Sequence, residues 1–364
     1  MTRHYWTWPI ACYIFLGGLG GGMLFLTFVL DMLTKAAILP TGLEATGLAL
    51  VGVSAVEMFG IVVGLACLAV GTLLLIFELG QPILFERAFI TKTSIIKWGA
   101  VLLTIALVAG IFWWTALTPW TWLHWTPWYG QLGFALVMEV ITGISSFGIM
   151  VYTGILFSSM KSKPFWNTPA LPILFVVSAL STGCAALSLC AGPLWTWLDT
   201  VTMADPRYIL MVDPAQLAAL TPEVLALLKE VTIHYLHMID IVLVFAELLV
   251  IFLYLLLMVG AGNKVANTVA KRWLIGSWAP IFWIGMICAG LVIPQIMYLT
   301  GGFAAEYIAP VLILASGLLL RFMIVYSDDR RAVEGEELYQ KRLPSHKDDF
   351  ITKDWTKTPW YQAD

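Results

Sequence analysis

The stretch YWTWPIACYIFLGGLGGGML, residues 5–24, decides the fold class. It is an apolar run of helical length that carries five glycines between positions 17 and 22. In a water-exposed helix each glycine costs about 1 kcal/mol relative to alanine. In lipid the helix hydrogen bonds have no water competitor, so that penalty applies poorly. Gly17 with Gly21, and Gly18 with Gly22, form two overlapping small-xxx-small pairs that let another helix approach closely. The stretch therefore reads as a membrane span with a wall thinned for a neighbouring helix. Tyr13 sits at the edge of the thinned region, and the Trp6–Trp8–Pro9 cluster sets its depth at the interface.

The rest of the sequence agrees. Of 364 residues 60% are hydrophobic and 12% charged, with a mean hydropathy of +0.87. Soluble domains carry about 25% charged residues. Seventeen tryptophans, many at the ends of apolar runs, fit interfacial aromatic belts. The charge pattern offers no nucleic-acid surface, and the small net charge of -3 carries little meaning in a protein whose charges act by position.

A hydrocarbon core about 30 Å thick needs about 20 helical residues. Eight runs satisfy this, at 10–33, 49–77, 95–117, 131–158, 170–198, 234–260, 273–299 and 306–326. The fold expected is all-α and polytopic, with eight transmembrane helices in two four-helix bundles. The first bundle covers 1–158 and the second 159–326, followed by a polar extramembrane tail over 327–364. Within the second bundle the segment 199–231 reads as an amphipathic, interfacial helix with Pro214 and Pro222 at first-turn positions. WPIACYIF at 8–15 and TPALPILF at 168–175 hint at a repeat that matches span one to span five.

Eight spans put both termini on one side. Seventeen of the twenty Lys and Arg residues fall on that side, against Lys35, Arg207 and Lys229 on the other. In a bacterial or archaeal cell membrane the positive-inside rule favours the cytoplasm for the termini; the alternative reading is that the basic bias serves docking of a partner and does not report topology.

Ionisable residues inside spans are functional candidates by default. Glu57 and Glu139 each lie about nine residues into spans that start from the face opposite the termini, so they share a depth. The pair reads either as a proton-transfer site or as polar glue between helices. Span four leads from Glu139 to Tyr152, about 20 Å along the axis, which returns Tyr152 to the depth of Tyr13. Two phenols at one depth suit either hydrogen bonds to a quinone carbonyl or anchorage to headgroups. In span six, His237, Asp240 and Glu247 share a helical face, as a proton path or as a helix contact. Arg321, a turn from the end of span eight, either snorkels to lipid phosphates or faces a cofactor or partner.

Cofactors held by this sequence alone are not expected. The five cysteines all lie in apolar runs and form no CxxC, which argues against an iron–sulfur cluster. A bis-histidine haem needs a second intramembrane histidine on a facing helix. His4, His124 and His346 fall outside the spans, and His234 and His237 cannot clasp one iron from opposite faces.

Several motifs occurring in order resemble the NrfD-like family, the polysulfide-reductase membrane subunits. They are WPIACYIFLGGLGGG in span one, ELGQP at 78–82, TKTSIIKWG at 91–99 and YTG at 152–154. LPILFVVSALSTG in span five, FWIGMICAGLVIP at 282–294 and SGLLLRFMIV at 316–325 complete the series. ELGQP is similar to the family's acidic-Leu-Gly-Arg-Pro turn, with Glu78 as the acid and Gln81 in place of arginine.

The resemblance implies a subunit without its own haem that oxidises a quinol or reduces a quinone, menaquinone or ubiquinone. A ferredoxin-like iron–sulfur subunit and a molybdenum- or tungsten-pterin catalytic subunit would be its partners. The quinone-holding positions carry over onto Tyr13, where a relative has histidine, and onto Tyr152. Gly21 is then expected in the floor of the pocket, with Glu57 and Glu139 moving protons from the opposite face. Two other classes stay open: a secondary transporter using the intramembrane carboxylates, with Pro294 as a candidate helix break, and a purely structural anchor for the catalytic subunits.

Overall fold

The computed structural model describes residues 8–35, 49–78, 95–117, 125–202, 222–260 and 262–329. These residues form helices α1 (Trp8–Lys35), α2 (Ala49–Glu78), α3 (Ile95–Leu117), α4 (Leu132–Ser158) and α5 (Ala170–Thr202). They continue with α6 (Pro222–Gly260), α7 (Lys264–Leu274), α8 (Ile293–Thr300) and α9 (Ala309–Val325). Two π-helical segments, Ile281–Val292 and Ala304–Ile308, lead directly into α8 and α9. Eight helical stretches are long and apolar enough to cross a membrane, with Ile281–Thr300 as the seventh and Ala304–Val325 as the eighth. The protein is all-α, multi-pass and membrane-embedded. In lipid this is forced, because every backbone N–H and C=O must find its partner within the segment.

Small residues decide how the spans pack. A Cβ on Gly20 would meet the Gly64 carbonyl at 2.6 Å, so α1 and α2 touch backbone to backbone. A Cβ on Gly21 would stand 3.1 Å from the Ser146 carbonyl of α4. A Cβ on Gly183 would lie 2.6 Å from the Gly22 carbonyl carbon, so α1 and α5 cross at these two glycines. Gly154 of α4 packs in the same way on Pro172 of α5. The glycine run of span one is thus the place where three helices approach α1. Helices α1 and α5, whose opening sequences look alike, stand against each other at the centre, and α1 also touches α9.

The seventh span begins later than hydropathy implies. Residues 264–274 form their own amphipathic helix, which buries Ala266, Val269, Ala270 and Trp273 and exposes Lys264, Thr268 and Lys271. Trp273 and Leu274 continue the apolar run in sequence but belong to this surface helix. Both π-helical segments precede a proline near the start of the following α-helix, Pro294 and Pro310. Proline lacks an N–H and clashes with the carbonyl four residues back, and a widened turn relieves both problems. At the sixth span Pro222 is the first helical residue, so the end of the amphipathic segment 199–231 runs straight into the span. The remainder of that segment up to residue 221, Pro214 included, lies outside the described residues beyond Thr202, as does the tail from residue 330.

The segment leaving α9 is tied to two other connections at one face. Lys163 holds Asp328 at 3.0 Å and Arg272 grips Asp329 with two bonds of 2.9 and 3.1 Å. Trp273 donates to Ser327 Oγ at 2.9 Å and Trp166 to the Ile324 carbonyl at 2.8 Å. Loops four–five and six–seven therefore share the face on which α9 ends.

The α1–α5 crossing yields a stability prediction. Gly183→Ala should lower stability by about 1–3 kcal/mol, the usual cost of overpacking, while Gly17→Ala, with nothing within 4 Å of its Cβ position, should not. Thermal unfolding in detergent checks this, and equal midpoints for the two variants would refute it.

Candidate functional site

Helices α1 and α4 bring the phenols of Tyr13 and Tyr152 close enough to interact. Tyr13 is buried and Tyr152 half-buried. One glycine makes room for the pair. A Cβ on Gly99 of α3 would run into the Tyr152 ring and lie 2.6 Å from its hydroxyl. One turn deeper than Tyr13, Gly17 is buried and yet has open space beside it. Open space one turn from a pair of phenols suits a flat ring with carbonyl acceptors. Gly21 lies about 12 Å further along α1 than Tyr13. It faces Ser146 and Met150 and serves the α1–α4 contact, not the phenols.

Near the opposite face, Glu139 of α4 is fully buried, and so is Asp31 of α1. The contact between Gly143 and Phe28 sets the register of the two helices and puts residues 31 and 139 at one depth. Glu57 occupies α2 one turn before Gly60, whose Cβ position is 2.5 Å from Thr27 Oγ1. Its side chain and that of Glu78 lie outside the described residues. Sequence alone does not single out Asp31, because it closes span one as an ordinary boundary charge would.

The second half holds a buried polar cluster. Tyr298 Oη donates to Asp240 Oδ2 at 2.7 Å, and Ser181 Oγ donates to Oδ1 at 3.3 Å. The His237 ring stacks on Tyr298 at 4.3 Å between centroids, and its Nε2 pairs with Ser188 Oγ at 3.0 Å. Two turns along α6, Glu247 is buried, with Arg321 as an electrostatic neighbour. His237, Asp240 and Glu247 do share one face, and that face looks inward onto α5. The spacing alone could not name Tyr298, Ser181 or Ser188, which come from other spans.

Arg321 does not snorkel. It is 3% exposed, donates through Nη2 to the Phe175 carbonyl at 3.2 Å and stands 4.3 Å over the Phe175 ring. Its Nη2 is 3.7 Å from the Cβ position of Gly18, so it occupies the seam where α1 meets α5. Nε and Nη1 have no hydrogen-bond partner among the described residues, and Glu247 is its electrostatic counterpart. Nearness to a helix end suggested a headgroup contact, but the crossing of α9 with α1 and α5 turns the side chain inward. No three His, Cys, Asp or Glu side chains converge as a metal site among the described residues.

The NrfD family model, described as polysulphide reductase, NrfD, matches residues 1–221. The protein belongs to this family. It is also similar to the C component of polysulfide reductase from Wolinella succinogenes, at 24% identity, with 88% of this sequence and 93% of the relative covered. Similarity to protein NrfD of Escherichia coli is 27% identity over 88% of this sequence and 94% of the relative. The NrfD homologue of Haemophilus influenzae gives 25% identity over the same share of this sequence. These alignments cover 88% of the sequence, more than residues 1–221 amount to, so the likeness extends beyond the region matched by the family model.

Glu247 and Arg321 are both buried and interact across the seam electrostatically, without a direct ion pair. In this NrfD-family protein, Glu247→Gln should destabilise by about 1 kcal/mol more with Arg321 present than in an Arg321→Met background. A double-mutant cycle on thermal unfolding measures the coupling. Additive effects would show that Glu247 and Arg321 do not act as a pair.

Proposed function

We propose that the protein is the quinone-reactive membrane subunit of a multi-subunit respiratory oxidoreductase. In this reading it passes electrons between the membrane quinone pool and an iron–sulfur subunit docked on the face that carries both termini. The observation that carries it is the pairing of the Tyr13 and Tyr152 phenols, with open space one turn along α1 at Gly17, in a member of the NrfD family. Similarity to the C component of a polysulfide reductase supports the part of a membrane subunit in a reductase.

A quinone supplies two-electron, two-proton chemistry when bound. Tyr152, half-buried and therefore reachable, donates a hydrogen bond to a carbonyl oxygen of the ring. Tyr13 orients the Tyr152 hydroxyl, since a buried phenol with one partner has little rotational freedom. Gly99 makes room for the Tyr152 ring, and Gly17 leaves open space that a side chain would fill. Electron transfer requires the ring to lie close to the docked cluster, which a site near the terminal face provides. The partners in this reading are a ferredoxin-like iron–sulfur subunit and a molybdenum- or tungsten-pterin catalytic subunit, and the quinone is menaquinone or ubiquinone.

Protons need a route to the opposite face. Glu139, with Asp31 at its depth and Glu57 on α2, stands about 20 Å of helix away from Tyr152 and forms the acidic end of one route in the first half. His237, Asp240 and Glu247, joined by Tyr298 and reaching Arg321 at the seam, form a second polar line. The concentration of Lys and Arg on the terminal face argues that this face is cytoplasmic.

Tyr152→Phe should lower quinol-linked turnover of the assembled complex at least about tenfold, the loss expected for one hydrogen bond made to a charged or developing acceptor. Dye-linked activity of the catalytic subunit and the yield of complex should not change. Gly17→Leu should have the same effect by filling the space. A quinone-linked rate left intact by both substitutions would overturn the assignment. For sidedness, a fluorescent protein fused to the tail should be bright and an alkaline-phosphatase fusion inactive; the reverse would put the termini outside.

A further inference from the structure

We propose that the terminal face of the second half binds an anionic phospholipid in the groove between the loop following α4 and the end of α6. The groove has a volume of about 600 Å³. Lys161 and Asn263 supply polar groups at its loop end, the buried Thr168 lies beneath them, and Leu256 and Leu257 of α6 form its apolar side. That division matches an amphiphile, with a headgroup at the rim and an acyl tail against the leucines.

Depth supports a lipid as the occupant. Leu256 and Leu257 are 57% and 51% exposed although they belong to a membrane span. Side chains exposed at that level face acyl tails. The rim lies where α7 begins, and α7 is an amphipathic helix with its charged face outward, the arrangement of an element lying in the headgroup plane. Trp283, 47% exposed, donates to the Leu274 carbonyl at 3.0 Å just beyond α7, as interfacial tryptophans do.

The rim also selects charge. No acidic residue lines the groove. Lys163, two residues away, is neutralised by Asp328 at 3.0 Å, whereas Lys161 makes no ion pair among the described residues. Asn263 spends its Oδ1 on the backbone N–H groups of Val265 and Ala266 and retains its amide hydrogens as donors. The buried Thr168 Oγ1 accepts from Ala170 N at 3.3 Å and retains its own hydrogen. Lys161 and Asn263 thus offer an ammonium and an amide, both donors, above the Thr168 hydroxyl. A phosphodiester with net negative charge satisfies this set; a zwitterionic headgroup brings a cation against Lys161.

Native mass spectrometry of the purified full-length protein, released from mixed phosphatidylglycerol–phosphatidylcholine nanodiscs, tests the proposal. Wild type should retain one phosphatidylglycerol in about fivefold preference over phosphatidylcholine, the selectivity one lysine near a lipid surface supplies. Lys161→Gln should bring the ratio close to one. Leu257→Trp should expel the lipid by filling the groove without altering charge. Tyr152→Phe should leave retention unchanged, so a failure of the quinone assignment does not touch this one. Retained phosphatidylglycerol that neither Lys161→Gln nor Leu257→Trp reduces would overturn the site. Thermal protection by inorganic phosphate equal to that by phosphatidylglycerol would overturn the lipid as its occupant.

Discussion

The close approach of α1 and α5 at Gly22 and Gly183 is the contact on which the rest of the molecule depends. There is no hydrophobic force between helices inside a bilayer, because lipid tails are as apolar as leucine, so packing distance has to do the work. Two glycines let the backbones meet, and two consequences follow. The first spans of the two halves become neighbours that run in the same direction. Arg321, beside Gly18, is then enclosed between them. With a larger residue at either crossing the helices separate, and a guanidinium on α9 would find headgroups in place of Phe175 and Glu247.

From that seam two polar regions extend. One lies in the first half and ends on the tyrosine pair. The other runs through the second half from Arg321 and Glu247 to Asp240, Tyr298 and His237. Isolated polar groups inside a membrane protein are expensive, and those here are grouped so that most find one another. The π-helical segment Ile281–Val292 adds to this by leading into α8, which presents Tyr298 to Asp240. Ser316 Oγ reaches the Met286 carbonyl of that segment at 3.4 Å, a contact of the kind that steadies a widened helical turn.

Much of the site was legible because helices convert residue number into depth. A rise of about 1.5 Å per residue was enough to put Tyr152 level with Tyr13, and the three- and seven-residue spacings were enough to put His237, Asp240 and Glu247 on one face. What a single helix cannot reveal is its neighbour. Gly99 carried no sign that it makes room for Tyr152, and Tyr298 looked like one more aromatic in span seven. Arg321 misled because its position in the sequence lies near a membrane surface while its direction points to the seam. Nor could the sequence show what Gly21 faces: it packs against Ser146 and Met150 of α4.

The sequence by itself determined that the protein crosses a membrane eight times, which residues lie at which depth and which motifs it shares with the NrfD family. Those properties follow from local physics, namely hydropathy over a fixed thickness and a constant rise per residue. Tertiary structure alone decided that Tyr13 meets Tyr152 with room made by Gly99, that Tyr298 completes Asp240, and that Lys264–Leu274 leaves the seventh span to lie on the surface. Each of these depends on which helix faces which, and in lipid that choice rests on shape complementarity between small residues far apart in the sequence.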